Sequence, residues 1–197
     1  VLERYTELTG RADPSLIILH LGSGASAAAI REGRSVDTSM GLSPLEGLVM
    51  GTRPGDLDAG VLLELLREGH TEATLTDLLY RRSGLTALAG EADLRHLLAR
   101  QDPEARLAID LFCYRVRKYV GAYLAVLEGA AEAIVFTGGI GEHSSVVRGR
   151  IVAPFGWAGV VLGEDGDWVR EERISRAESR LAVWVIPTRE EELIARE

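Results

Sequence analysis

Three short stretches of this chain carry residue types that could handle a phosphoryl group. The first is His20-Leu21-Gly22-Ser23-Gly24, which follows the apolar run Leu16-Ile17-Ile18-Leu19. Glycines let backbone N–H groups approach an anion closely because no Cβ intervenes. The imidazole of His20 can donate a hydrogen bond or a proton. The second stretch is Gly51-Thr52-Arg53-Pro54-Gly55-Asp56, where Arg53 offers a planar, permanently charged fork suited to phosphoryl oxygens. The third is Gly138-Gly139-Ile140-Gly141-Glu142, directly after the apolar run at 132–137. Strand, glycine turn and helix N-terminus in that order make an anion or nucleotide site, through exposed N–H groups and the helix dipole. It is not a Walker A loop, since no Lys-Ser/Thr pair closes it, and it is not GxGxxG. Each stretch also has a plainer reading: a satisfied histidine at a strand end, a surface arginine, a tight strand–helix turn.

The elements that must position these residues follow from pattern. Residues 16–19 read as a buried strand, and 25–31 with 34–37 as a β-hairpin across Glu32-Gly33. The loop beyond it carries Thr38, Ser39, Pro44 and Glu46. A helix is predicted over 58–69, with Asp58 as N-cap and Gly69 past its end, and another over 74–82, ending near Gly84. Asp102-Pro103-Glu104 is a helix start: N-cap, proline at the first position, acid in the first turn. That helix can run to 127 or 128, about 26 residues or ~39 Å. Leu107, Leu111, Tyr114 and Lys118 lie on one side and Ile109, Phe112, Val116 and Val120 flank it, which predicts a largely buried helix. Residues 1–13 read as a helix end and turn, 132–137 as a strand and 144–150 as a helix. Residues 151–167 read as irregular and 180–187 as a last strand. A helix opens at 188 with Thr188 as N-cap and glutamates in its first turn. Alternating strands and helices with glycine-rich loops at strand ends predict an α/β architecture.

Composition narrows the class. The 197 residues suit one domain or one large lobe. A hydrophobic content of 46% supports a real core. No apolar run reaches ~18 residues and no signal-peptide pattern opens the chain, so no membrane association is expected. The net charge of −8 argues against general nucleic-acid binding. The single cysteine, Cys113, cannot form an internal disulfide and fits a reducing cytoplasm. It sits in a helical apolar pattern, as a buried small hydrophobe does. The chain starts at Val1 rather than Met, which leaves room for an upstream segment.

The run HLGSGASAAAIREGRSVDTSMGLSPLEGLVMGTRPGDLD closely resembles the acetate kinase family signature, with its HLGNG, SVDTSMG, TPLEGL and GTRSGD segments. FTGGIGE resembles the family's adenosine motif, SGLTALAGEADLR its SGLLGLSG…D-F-R segment, FCYR…KYVGAY its long helix, and VIPTREE its VIPTNEE. The resemblance implies an RNase-H-like, actin-like ATPase lobe with a mixed sheet and flanking helices, here the C-terminal half of the enzyme. It implies reversible phosphoryl transfer between ATP and acetate with Mg²⁺, by a cytoplasmic homodimer. Carried over residue by residue, Arg53 clamps the transferring group and His20 hydrogen-bonds it. Gly22, Ser23 and Gly24 present backbone to phosphate, and Pro44 contacts the acetate methyl. Gly138, Gly139, Ile140, Gly141 and His143, with Asp93, Leu94 and Arg95, hold the nucleotide, and Glu190 orients the metal. Asp93 and Arg95 read equally well as a helix-start anion and a solvated cation.

The chain departs from the family pattern at Ser23, Pro54, Ala59, His143 and Arg189. The family also places a phosphate-binding Asn, a second arginine, a catalytic Asp and a further His in a first lobe that these 197 residues lack. A propionate or butyrate kinase is the alternative within the family. A nucleotide-binding or dimerisation module without turnover is the alternative outside it.

Overall fold

The computed structural model describes residues 1–163 and 172–188. Its six-stranded sheet has the order β3-β2-β1-β4-β6-β5. The strands are β1 (Leu16–Leu21), β2 (Ala25–Arg31), β3 (Arg34–Thr38), β4 (Ala133–Thr137), β5 (Glu172–Arg173) and β6 (Ala182–Val185). β1 pairs parallel with β4, and β4 parallel with β6, while β5 runs antiparallel to β6. The sheet is therefore mixed. The helices are α1 (Leu2–Thr9), α2 (Ala59–Arg67), α3 (Glu72–Arg81), α4 (Gly84–Ala89), α5 (Leu94–Leu98), α6 (Pro103–Val126), α7 (Gly138–His143) and α8 (Ser145–Val152), with a 3₁₀ segment at Ala153–Ala158. Two compact units can be distinguished. One comprises Val1–Gly22, Ala28–Asp37 and the chain from Val120 onward; the other comprises Ser23–Ala27 and Thr38–Tyr119. No helix among the described residues is long and apolar enough to cross a membrane.

In the first unit the central strands are buried on both faces, as parallel strands require. Leu16, Val135 and Ala182 point to one face, where Tyr5 of α1 closes the core. Tyr5 meets Trp184 edge-on at 5.6 Å between ring centroids. Burial, helped by Glu132, pushes the Tyr5 phenol up to about 12, so it stays neutral. The alternate residues Ile17, Leu19, Ile134, Phe136, Val183 and Val185 are also buried, as the two-residue strand period demands. The hairpin forms where its turn residues dictate: Glu32 at φ 48° and Gly33 at φ 73° supply the two left-handed positions of a two-residue turn.

Local start signals are realised. Asp58 caps α2 by accepting from the Gly60 N–H at 2.7 Å. Asp102 caps α6 by accepting from the Ala105 N–H at 3.0 Å, with Pro103 at the first helical position. Three expectations need correction. The second helix starts at Glu72 rather than 74, because Thr71 and Thr74 form a reciprocal capping box. The buried face of α6 is Ile109, Phe112, Cys113, Val116, Val120 and Tyr123, whereas Leu107 and Tyr114 are exposed. The residues read as flanks are the core. The GGIGE stretch is itself helical, as α7, rather than a turn; the helix expected over 144–150 follows it as α8, capped by Ser144. Residues 189–197, with the predicted helix there, lie outside the described residues, as does part of 151–167.

Gly138 is where this packing is least forgiving. Its φ is +77°, and a Cβ there would lie 2.7 Å from the Leu21 carbonyl oxygen. Gly138→Ala is expected to cost about 1–3 kcal/mol or more, from the left-handed backbone alone and the clash besides. Gly139→Ala, whose Cβ meets nothing within 4 Å, should leave stability within about 1 kcal/mol of the parent. Urea unfolding midpoints of the two variants check this contrast.

Candidate active site

In the first unit the parallel register sets His20 beside Thr137, at the carboxyl ends of β1 and β4. The chain leaves β1 towards β2 on one side, while β4 lies on the other. Strand ends at such a reversal form the crevice where open α/β sheets take ligands. Gly138 follows Thr137 directly, against the Leu21 backbone, and a Cβ on Gly141 would lie 3.6–3.7 Å from Phe136 and Leu21. His20, Gly22 and the GGIGE start of α7 are thus brought together within this unit. Gly139 and His143 are exposed and Ile140 half-buried. The Thr137 hydroxyl is buried without a hydrogen-bond partner among the described residues.

Two side chains that the sequence reading passed over hold this turn. One carboxylate oxygen of Glu142 accepts from the Gly138 N–H at 2.8 Å, the Thr188 N–H at 3.0 Å and the Thr188 hydroxyl at 3.1 Å. Arg148, only 2% exposed, donates to the carbonyls of Gly141 at 2.9 Å and Glu142 at 2.8 Å. It satisfies carbonyls that the end of α7 leaves open. Thr188 therefore serves Glu142. Glu190, the expected metal-associated residue, lies outside the described residues. Among those described, no group of three or more His, Cys, Asp or Glu side chains could hold a metal ion.

In the second unit the Gly51 N–H donates to the Ser23 carbonyl at 3.4 Å, so Ser23 and Gly24 stand next to the loop that carries Arg53. Ser23 is exposed, and a Cβ on Gly24 would meet nothing within 4 Å. The Arg53 loop is stapled to the start of α4. Ser83 N–H donates to the Thr52 carbonyl at 3.0 Å, Leu85 N–H to Met50 at 3.0 Å and Thr86 N–H to Gly51 at 2.9 Å. The Thr86 hydroxyl adds a bond to the Gly51 carbonyl at 2.9 Å. Gly84 sits where a Cβ would be 2.7 Å from the Arg53 carbonyl oxygen and 2.8 Å from its nitrogen. Arg53 is half-buried, and the hydrogen-bond partner of its guanidinium among the described residues is the Met50 thioether at 3.4 Å. Pro44 is half-buried, beside the Leu45 N–H that donates to the Ser43 hydroxyl at 3.3 Å.

The Asp93-Leu94-Arg95 segment adjoins the same loop, since a Cβ on Gly51 would lie 3.1 Å from the Ala92 carbonyl. Asp93 caps α5 through the Arg95 N–H at 2.9 Å and takes the Arg95 guanidinium at 3.0 and 3.1 Å. Leu94 is 1% exposed, so its side chain belongs to the core. The Arg95 side chain and backbone N–H hold the Asp93 carboxyl well below the usual carboxylate range. Its contribution to stability is therefore present above about pH 4 and lost as pH falls towards the lowered folded value. Arg95→Met should return the Asp93 titration midpoint most of the way to the ordinary range, followed by carboxyl-carbon NMR.

The Acetokinase family profile matches residues 1–196. The acetate kinase of Solibacter usitatus is 50% identical over 196 residues, covering 95% of this chain and 47% of that protein. The crystal structure of Porphyromonas gingivalis acetate kinase superposes with a TM-score of 0.94 at 38% identity, covering 99% of this chain and 51% of that one. A propionate kinase from Francisella tularensis does so at 0.91 and 35% identity, covering 98% and 51%. The chain spans about half the length of the curated relatives it matches.

Proposed function

The chain belongs to the acetokinase family, and on that premise we propose that it contributes the C-terminal lobe of an acetate kinase. An acetate carboxylate oxygen attacks the γ-phosphorus of ATP, the bond from that phosphorus to the β–γ bridging oxygen breaks, and ADP leaves; the reverse step regenerates ATP. The observation that carries the reading is the Arg53 guanidinium. Arg53 is half-buried on a loop stapled by four hydrogen bonds, and among the described residues its guanidinium meets a thioether and no carboxylate. Arg95 and Arg100, by contrast, are spent on Asp93 and Asp102. An arginine with no carboxylate partner among the described residues, at a preorganised position, suits an incoming polyanion.

Arg53 neutralises charge that spreads over the three equatorial oxygens of the transferring group. His20 donates to one of those oxygens. Gly22, Ser23 and Gly24 offer backbone N–H groups to phosphate. Gly138 to Gly141 and His143, at α7, are assigned to the nucleotide, as are Asp93, Arg95 and the Leu94 backbone. Pro44 bounds the acetate methyl. Mg²⁺ travels with the nucleotide in this chemistry, with Glu190 to orient it. A longer carboxylate is the second reading, favoured by the likeness to the Francisella propionate kinase. Assembly as a homodimer in the cytoplasm belongs to the same proposal. Its support is α2, none of whose residues is buried and which exposes Val61, Leu63 and Leu66.

Arg53→Ala in the polypeptide that carries this chain should lower turnover about 10³-fold or more, while a fluorescent nucleotide analogue still binds. Undiminished turnover would remove the role assigned to Arg53. The 197-residue chain by itself should give no acyl hydroxamate above background with ATP, acetate and hydroxylamine. Turnover by the isolated chain would show that its own residues suffice.

A further inference from the structure

The loop that carries Arg53 has a second anchor, to which neither the motif reading nor the phosphoryl-transfer chemistry assigns a role. Asp56 lies three residues beyond Arg53. Its Oδ1 accepts from the Gly47 N–H at 2.9 Å, and its own N–H returns a bond to the Gly47 carbonyl at 3.0 Å. The two bonds close residues 47–56 into a ring. Across from it stand two residues of α6. The Tyr119 hydroxyl donates to the Asp56 carboxylate, 2.9 Å from Oδ1 and 3.1 Å from Oδ2. Arg115 donates to the Asp56 carbonyl at 3.0 Å and reaches Oδ2 at 3.4 Å.

These contacts complement the staple at the start of α4. Leu48, Val49 and Met50 are buried, and Met50, Gly51 and Thr52 are tied to 83–86. The incoming limb of the loop is therefore held by packing and by main-chain bonds. After Arg53 the fixed points are Gly55, whose φ is +71° and where a Cβ would meet the Leu48 backbone, and Asp56. Burial and the neighbouring Asp56 carboxylate push the Tyr119 phenol well above its ordinary value. The hydroxyl therefore keeps its proton and remains a donor at any working pH. A charge-assisted acceptor shared by a phenol, a guanidinium and a backbone N–H is one of the stronger polar arrangements available to a partly exposed loop.

We propose that Asp56 is a positioning residue for phosphoryl transfer: by latching the loop to Tyr119 and Arg115 of α6, its carboxylate fixes where the Arg53 guanidinium is presented. This rests on the reading of Arg53 as the phosphoryl clamp. A displacement of about 1 Å at such a group costs on the order of 10²-fold in rate. Loss of the latch therefore lowers kcat while leaving the nucleotide site intact.

The test is a double-mutant cycle in the polypeptide that carries this chain, with a hydrogen-exchange measurement on the same polypeptide. Asp56→Ala is expected to lower kcat roughly 10–100-fold, with KM for ATP within about twofold of the parent. Tyr119→Phe removes one donor and spares the carboxylate. It should give a smaller loss of the same kind, and it serves where Asp56→Ala does not fold. In an Arg53→Ala background Asp56→Ala should cost nothing further, because it acts through the missing guanidinium. An equal cost in both backgrounds overturns the proposal. If Arg53→Ala alone leaves turnover intact, it is the clamp reading that fails, and the exchange data then decide the latch. Amides of residues 48–56 should exchange faster in Asp56→Ala and Tyr119→Phe than in the parent, with β1 and β4 unchanged. Unchanged exchange at 48–56 rules the latch out.

Discussion

The close approach of Gly138 to the Leu21 backbone is the contact on which the first unit's candidate site depends. A Cβ at 138 would lie 2.7 Å from the Leu21 carbonyl oxygen, and the backbone there is left-handed. Only glycine meets both conditions without strain. Because β1 and β4 are in parallel register, that contact sets the start of α7 directly beside the end of β1, where His20 sits. Glu142 and Arg148 then hold the turn at its two ends, one gathering N–H and O–H donors and the other covering carbonyls. The Gly138 N–H and the Gly141 and Glu142 carbonyls are thus met from within the unit, while Gly139 stays open to solvent.

The second unit solves a different problem, the presentation of a cation on a loop. Loops give functional groups reach but poor precision. Here the loop's incoming limb is buried and cross-braced to residues 83–86, and its outgoing limb is tied to α6 through Asp56. Most other ion pairs of this unit lie at exposed positions, such as Arg67 with Glu64 and Arg82 with Asp77. Pairs of that kind contribute little to stability. The Asp56 cluster is part-buried and joins segments 59 and 63 residues apart in sequence.

What the sequence disclosed divides along the same line. Signals written in neighbouring residues were legible: Asp58 and Asp102 as caps, Glu32-Gly33 as a hairpin turn, Cys113 as a buried apolar position. The α/β class and the family were legible too, because glycine spacing and a long contiguous signature leave few alternatives. The face of α6 was misread because both candidate stripes are apolar, and only tertiary packing chooses between them. Glu142 with Thr188, Thr86 with Gly51 and Asp56 with Tyr119 went unseen for one reason. Their partners lie 46, 35 and 63 residues away, and no local pattern records such a pairing. The helical start at Gly138 was hidden by its glycines, which read as a turn by propensity.

Cys113 lies on the buried stripe of α6 with no measurable exposure. It is also the sole thiol of the chain. Alkylating reagents can therefore reach this sulfur only from conformations in which the helix has come away from its packing. The rate of its modification in native buffer is a clock for that opening, read at a cysteine the chain already carries.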